Sequence, residues 1–255
     1  MIRSIIAALK QALSGKAFIL GVVGVFFLLL AVSMEDMFLL FRTENRFIES
    51  GYHHRLIMQA LSSDGMTMAL PIFAAVPYTS SMVDDMKSGF IKEYLPRTTV
   101  RGYIAGKVTA CALSGGLVLV IGILASYIAA AIFFTPMEAA TDASIGAQFS
   151  ACLRELLEKE LLFFSSGAFW SIAGMLFAVL TGSRYMAYAS PFVIYYVLII
   201  LHERYFKAMH LLYPKEWTAP SEYWMFGNMG VILFVAELII IAALCLYMAA
   251  KRRLV

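Results

Sequence analysis

Six apolar runs, each about as long as a bilayer is thick, restrict this 255-residue chain more than any other feature. They cover residues 17–34, 65–83, 108–137, 161–181, 185–201 and 223–250, and only the last contains a charge, Glu237. A hydrocarbon layer ~30 Å thick takes ~20 apolar residues to cross, because a helix rises ~1.5 Å per residue. Backbone polar groups find no water in that layer, so each run is expected to be a helix that satisfies its own hydrogen bonds. The composition agrees. Hydrophobic residues make up 61% and charged residues 15% of the chain, and the mean hydropathy is +0.79. The expected fold class is all-α, a polytopic membrane protein of six transmembrane helices.

Charge distribution then orients the runs. If the N-terminus is inside, the inside segments hold twelve Lys and Arg against three acids, and the outside segments eight against thirteen. Basic residues flanking spans favour the cytoplasm. The expectation is therefore a multi-pass protein of a bacterial plasma membrane with both termini cytoplasmic. Residues 1–16 place Ile2, Ile5, Ile6, Leu9 and Leu13 on one helical face, which reads as an amphipathic helix in the cytoplasmic interface. The competing reading, a signal peptide ending at the small-x-small triplet 31–33, would spoil the even topology. There is no repeat, low-complexity tract or flexible linker, so residues 1–255 read as a single transmembrane domain. The cysteines Cys111, Cys152 and Cys245 form neither a disulfide framework nor a CxxC metal spacing.

Catalytic signatures are missing. The chain has no GxxxxGK[ST] phosphate loop and no GxSxG, and Phe206 stands where the second histidine of an HExxH beginning at His202 would fall. A membrane-embedded enzyme such as an intramembrane protease remains the alternative, since Glu237 lies deep in the last run. An intramembrane carboxylate is costly and marks either a functional position, on a pathway for example, or a structural contact between helices. Asp64, at the outer edge of the second run, is a second candidate polar residue on a pathway, although a helix N-cap before Gly65 is the simpler reading. In the fourth run, Gly167, Ser171 and Gly174 permit close helix packing. Just before it, Glu155 and Lys159 have the spacing of a favourable helical pair.

The segment between the second and third runs carries the most information. It reads DDMKSGFIKEYLPRTTVRGYIAGK over residues 84–107. Met86, Phe90, Ile91 and Leu95 suit one side of a short helix over 84–95, with Pro96 ending it. Such a helix lies on the membrane or docks on a partner, and the paired acids Asp84 and Asp85 favour a protein partner over anionic lipid. The string resembles the cytoplasmic loop of type-2 ATP-binding cassette (ABC) export permeases. The matching positions are Asp85, Gly89, Leu95, Pro96, Arg101, Tyr103, Gly106 and Lys107.

The resemblance implies a permease subunit of an ABC exporter, with no cofactor on this chain. ATP and Mg would sit on a separate ABC ATPase dimer. That ATPase would press on a coupling helix formed by Asp84, Asp85, Lys87, Gly89, Phe90, Glu93, Leu95 and Pro96. A second permease subunit, identical or homologous, would complete the pathway. The segment 202–226 would form an external gate containing Trp217 and Trp224. Partners expected on this reading are the ATPase, the second permease and membrane lipid, with no nucleic acid. The cargo class is an amphipathic peptide, drug or lipid-like molecule. A membrane scaffold or assembly factor without a pathway is a third expectation.

Overall fold

The computed structural model describes residues 2–42, 51–94, 99–134 and 142–254. It is 86% helix, with no strand among the described residues. Five helices are long and apolar enough to cross a membrane: α2 (Lys16–Arg42), α7 (Val100–Phe133), α8 (Asp142–Thr181), α9 (Arg184–Arg204) and α10 (Gly227–Leu254). Shorter helices complete the set: α1 (Ile2–Leu13), α3 (Tyr52–Leu61), α4 (Asp64–Ala75), α5 (Ser81–Lys87) and α6 (Phe90–Tyr94).

The second apolar run is where the structure differs from the expected six continuous spans. Instead of one helix over 65–83 there is the 12-residue α4, a turn over 76–80, and then α5. Pro77 explains the break. It has no N–H to offer the Phe73 carbonyl, and its ring crowds that carbonyl. The Thr79 hydroxyl donates instead to the Ala75 carbonyl at 2.5 Å, closing the end of α4. Pro71, by contrast, sits within α4 without ending it.

α8 is the axis of the bundle: 78% of its most apolar stretch is buried, against 17% for α10. α7, α9, α10 and α4 all pack on it. Missing side chains allow close crossings. A Cβ on Gly167 would stand 2.7 Å from the Gly115 carbonyl oxygen, so α7 and α8 touch backbone to backbone there. At the same crossing Ser171 donates to the Cys111 carbonyl at 2.9 Å. A Cβ on Gly174 would lie 2.6 Å from the Ala187 oxygen, where α9 begins. The three small residues expected to permit close packing therefore all lie at contacts.

Ion pairs and caps define two ends. At one end Arg184 pairs with Asp84, and the Arg253 guanidinium donates to the Leu180 carbonyl at 2.5 Å, capping the last turn of α8. With Lys107, Lys251 and Arg252 this is the basic end. At the opposite end Lys215 meets Asp64 at 2.6 Å, and the Asn228 amide donates to Glu158 at 2.9 Å. There His54 also contacts Glu155 at 2.9 Å. The observed i,i+4 pair is Arg154–Glu158 at 3.0 Å, one position before the expected Glu155–Lys159 spacing; Glu155 reaches α3 and Lys159 the Thr218 carbonyl.

α1 packs on α7. Ser4, Ala8 and Ala12 fall on one helical face, and Ala12 is fully buried while Ile6 is exposed. The Ser4 hydroxyl donates to the Gly102 carbonyl of α7 at 3.1 Å. A Cβ on Gly106 would meet the Ser4 carbonyl at 3.2 Å, so glycine lets α1 rest directly on α7.

Candidate functional site

The segment 84–95 is not one helix. Gly89 adopts φ +77°, a left-handed conformation that glycine reaches without a Cβ penalty, and it separates α5 from α6. Leu95 and Pro96 lie outside the described residues. The Ser88 N–H bonds to the Asp84 carbonyl at 2.9 Å, completing the last turn of α5.

The two short helices present two faces. Met82, Val83 and Ile91 are buried against the bundle, whereas Lys87, Phe90 and Glu93 are exposed. The anchors lock the segment in place, and a mixed charged and aromatic surface is left outward.

Asp85 belongs to the locked side. Its Oδ2 lies 2.7 Å from the Lys107 ammonium, and both side chains are largely buried, 16% and 5% exposed. The Tyr103 hydroxyl donates to the same oxygen at 2.8 Å. Lys107 also donates to the Tyr78 hydroxyl oxygen at 3.1 Å, and Tyr78 in turn donates to the Gln11 side-chain oxygen at 2.9 Å. The Lys107 ammonium stands 4.8 Å from the Tyr78 ring centroid, within cation–π range. Four elements therefore meet on one buried ion pair: α5 through Asp85, α7 through Tyr103 and Lys107, the turn after α4 through Tyr78, and α1 through Gln11. A cleft of about 290 Å³ opens beside it, lined by Ser4, Ala8, Gln11, Asp85, Phe90, Tyr103 and Lys107 among others.

The neighbouring Asp84 has a different partner set. It accepts from the Ser80 hydroxyl at 3.0 Å and pairs with Arg184 of α9. Tyr188 of α9 donates to Ser80 at 3.2 Å. The adjacent acids thus point to different helices, Asp84 to α9 and Asp85 to α7.

At the opposite end, residues after α9 form two 3₁₀ turns, His210–Leu212 and Pro214–Trp217. Trp217 is 2% exposed and stacked on Trp170 of α8 at 5.7 Å, with its indole N–H donating to the Leu211 carbonyl at 3.1 Å. Trp224 packs on Phe234 of α10 and donates to Glu216 at 2.7 Å. Burial pushes the Glu216 carboxyl up, but hydrogen bonds from Ser221 and Trp224, with His210 nearby, carry it below its ordinary value. Its bond to Asp64 holds the Lys215 ammonium above its ordinary value. The segment is a packed cap pinned to α4 by Lys215–Asp64. Asp64 is not the N-cap of α4. That position is Ser63, whose side chain accepts from the Met66 N–H at 3.2 Å.

Glu237 stands on the exposed face of α10, with no partner among the described residues. It faces away from the bundle rather than into it. Among the described residues no group of three His, Cys, Asp or Glu is arranged to hold a metal ion.

The sequence singled out Asp85, Tyr103 and Lys107, and the structure brings all three together. It missed Tyr78 and Gln11, which carry no motif. Compared with protein-family models, curated proteins and solved structures, the chain matches none.

Proposed function

We propose that the chain is the transmembrane permease subunit of an ATP-driven ABC exporter. A separate ATPase dimer binds ATP and Mg, and a second permease subunit completes the pathway. The cargo is an amphipathic peptide, drug or lipid-like molecule moved outward across a bacterial plasma membrane.

One observation carries the reading: the Asp85–Lys107 pair, with Tyr103, Tyr78 and Gln11 around it. A coupling element has to be accessible on one side and rigidly joined to the spans on the other. Lys87, Phe90 and Glu93 offer the accessible side. The buried pair transmits a displacement of α5 and α6 to α7, and Asp84–Arg184 transmits it to α9. In this reading the 64–87 stretch is the sixth crossing, made by α4, its turn and α5. It runs between the Lys215–Asp64 contact and the Asp84–Arg184 contact. Both termini then lie at the basic, cytoplasmic end.

The test is co-expression with the ABC ATPases of the same genome, followed by purification through the permease. One ATPase is expected to remain bound to the wild-type chain and to be lost from the exposed-face variant Lys87→Glu/Phe90→Ala/Glu93→Lys, whose buried anchors are intact. Asp85→Asn is expected to keep the ATPase bound but abolish transport-coupled ATP hydrolysis in vesicles. Failure of every ATPase to bind the folded wild-type chain would sink the proposal.

A further inference from the structure

α10 is the least enclosed of the five long helices. Val231, Val235, Ala242, Leu246 and Ala250 are its buried positions, and it packs mainly on α8. Its other face carries Met229, Leu233, Ile240, Ile241, Leu244 and Met248, each more than half exposed. Glu237 lies in the middle of that stripe, ten residues after Gly227. At ~1.5 Å per residue it is about 15 Å from the start of the helix, half the thickness of the hydrocarbon layer.

A carboxylate at that depth has no water and no backbone donor to turn to. Along α10 the nearest basic residue is Lys251, fourteen positions away and about 21 Å along the axis. The buried Lys107 is committed to Asp85, and Arg253 to the Leu180 carbonyl. Lipid tails offer nothing, so a polar group on such a face marks a contact with another polar group. A second copy of this chain is a poor complement: across a two-fold axis the same face meets itself, and from Gly227 to Ala250 that face has no lysine or arginine to offer Glu237.

We propose that the outer face of α10 docks a transmembrane helix of a different polypeptide, one that presents a lysine or arginine at the depth of Glu237. The charge pair sets register and partner choice, and the apolar stripe on either side supplies the packing. The inference rests on the helix and its carboxylate and stands whether or not the chain is a transporter.

The test uses the purified full-length chain, fluorophore-labelled, in phosphatidylcholine vesicles. The probes are leucine-alanine transmembrane peptides with an acceptor dye and either lysine or leucine at the centre. Energy transfer to the central-lysine peptide is expected to exceed several-fold that to the leucine peptide. Glu237→Leu and Glu237→Gln are expected to bring it down to the leucine level. Glu237 is exposed, and unchanged thermal unfolding of both variants confirms their fold. Equal transfer to the two peptides overturns the proposal, as does retention of the difference in Glu237→Gln. If two differently labelled copies associate and Glu237→Leu abolishes that association, the occupant is a second copy and the cationic partner is refuted.

Discussion

Lys107 is the residue whose environment the structure changes most from what its sequence position suggests. In the sequence it is the last position of the 84–107 motif, just before an apolar run; in the fold its side chain is only 5% exposed and pinned by Asp85. Removing one partner of a buried pair leaves a charge without compensation, at a cost of ~3–5 kcal/mol. Asp85→Ala is therefore expected to lower the unfolding temperature in detergent sharply. The double variant Asp85→Ala/Lys107→Met is expected to be less destabilised than the sum of the two single changes, because neither charge is then stranded. Additive single effects would show that the pair is not coupled. The cap offers a pH test. The Glu216 carboxyl is held below its ordinary 4.5. A depressed carboxyl contributes stability above its unfolded value and loses it as pH falls through the folded one. The fluorescence of Trp217 and Trp224 is thus expected to hold steady from neutral pH down to about 4.5 and to shift below it. Glu216→Gln is expected to lack that acid transition.

The helices show which parts of the fold the sequence could reveal. Long apolar runs located α2, α7, α8, α9 and α10, because twenty apolar residues in lipid leave few alternatives. The break after α4 was not legible: two prolines lie in the run, and only packing decides that Pro71 is tolerated while Pro77 ends the helix. The joint within 84–95 hides in a similar way. Amphipathic spacing favours one helix, and Gly89 reveals itself only through its positive φ. Of the candidate site, Asp85, Tyr103 and Lys107 were legible from one compact motif. Tyr78 and Gln11 were not, since the bond between them joins residues 67 positions apart. The α7–α8 crossing gives a prediction at this scale. In Gly167→Ala the new Cβ would lie 2.7 Å from both the Gly115 carbonyl oxygen and Leu119 Cδ1. Backbone cannot yield as a flexible side chain does, so a loss of ~1–3 kcal/mol is expected from detergent unfolding. Ala at Gly89 meets no atom within 4 Å and is expected to cost about 1 kcal/mol, through backbone strain alone.

For the whole molecule, the two ends bear on the number of crossings. Asp64 meets Lys215 and Asp84 meets Arg184, and α4, a turn and α5 join these two contacts without one continuous helix; the proposed function makes this stretch the sixth crossing. Single cysteines in a chain whose native cysteines are replaced by serine check this with an impermeant maleimide. Ser88→Cys and Lys251→Cys are expected to react from one membrane face and Lys207→Cys from the other. Reaction of positions 88 and 207 from the same face would show that the 64–87 stretch does not cross. The contrast between α8, buried over 78% of its most apolar stretch, and α10, buried over 17%, has a consequence for how the chain tolerates change. In a saturation library selected for a folded product, the buried positions of α8, such as Leu162, Phe163, Trp170, Ile172 and Met175, are expected to accept few substitutions, as a soluble core does. The outer stripe of α10 is expected to accept nearly any apolar residue. When selection is instead for a working complex in the cell, one position in that permissive stripe, Glu237, is expected to become intolerant.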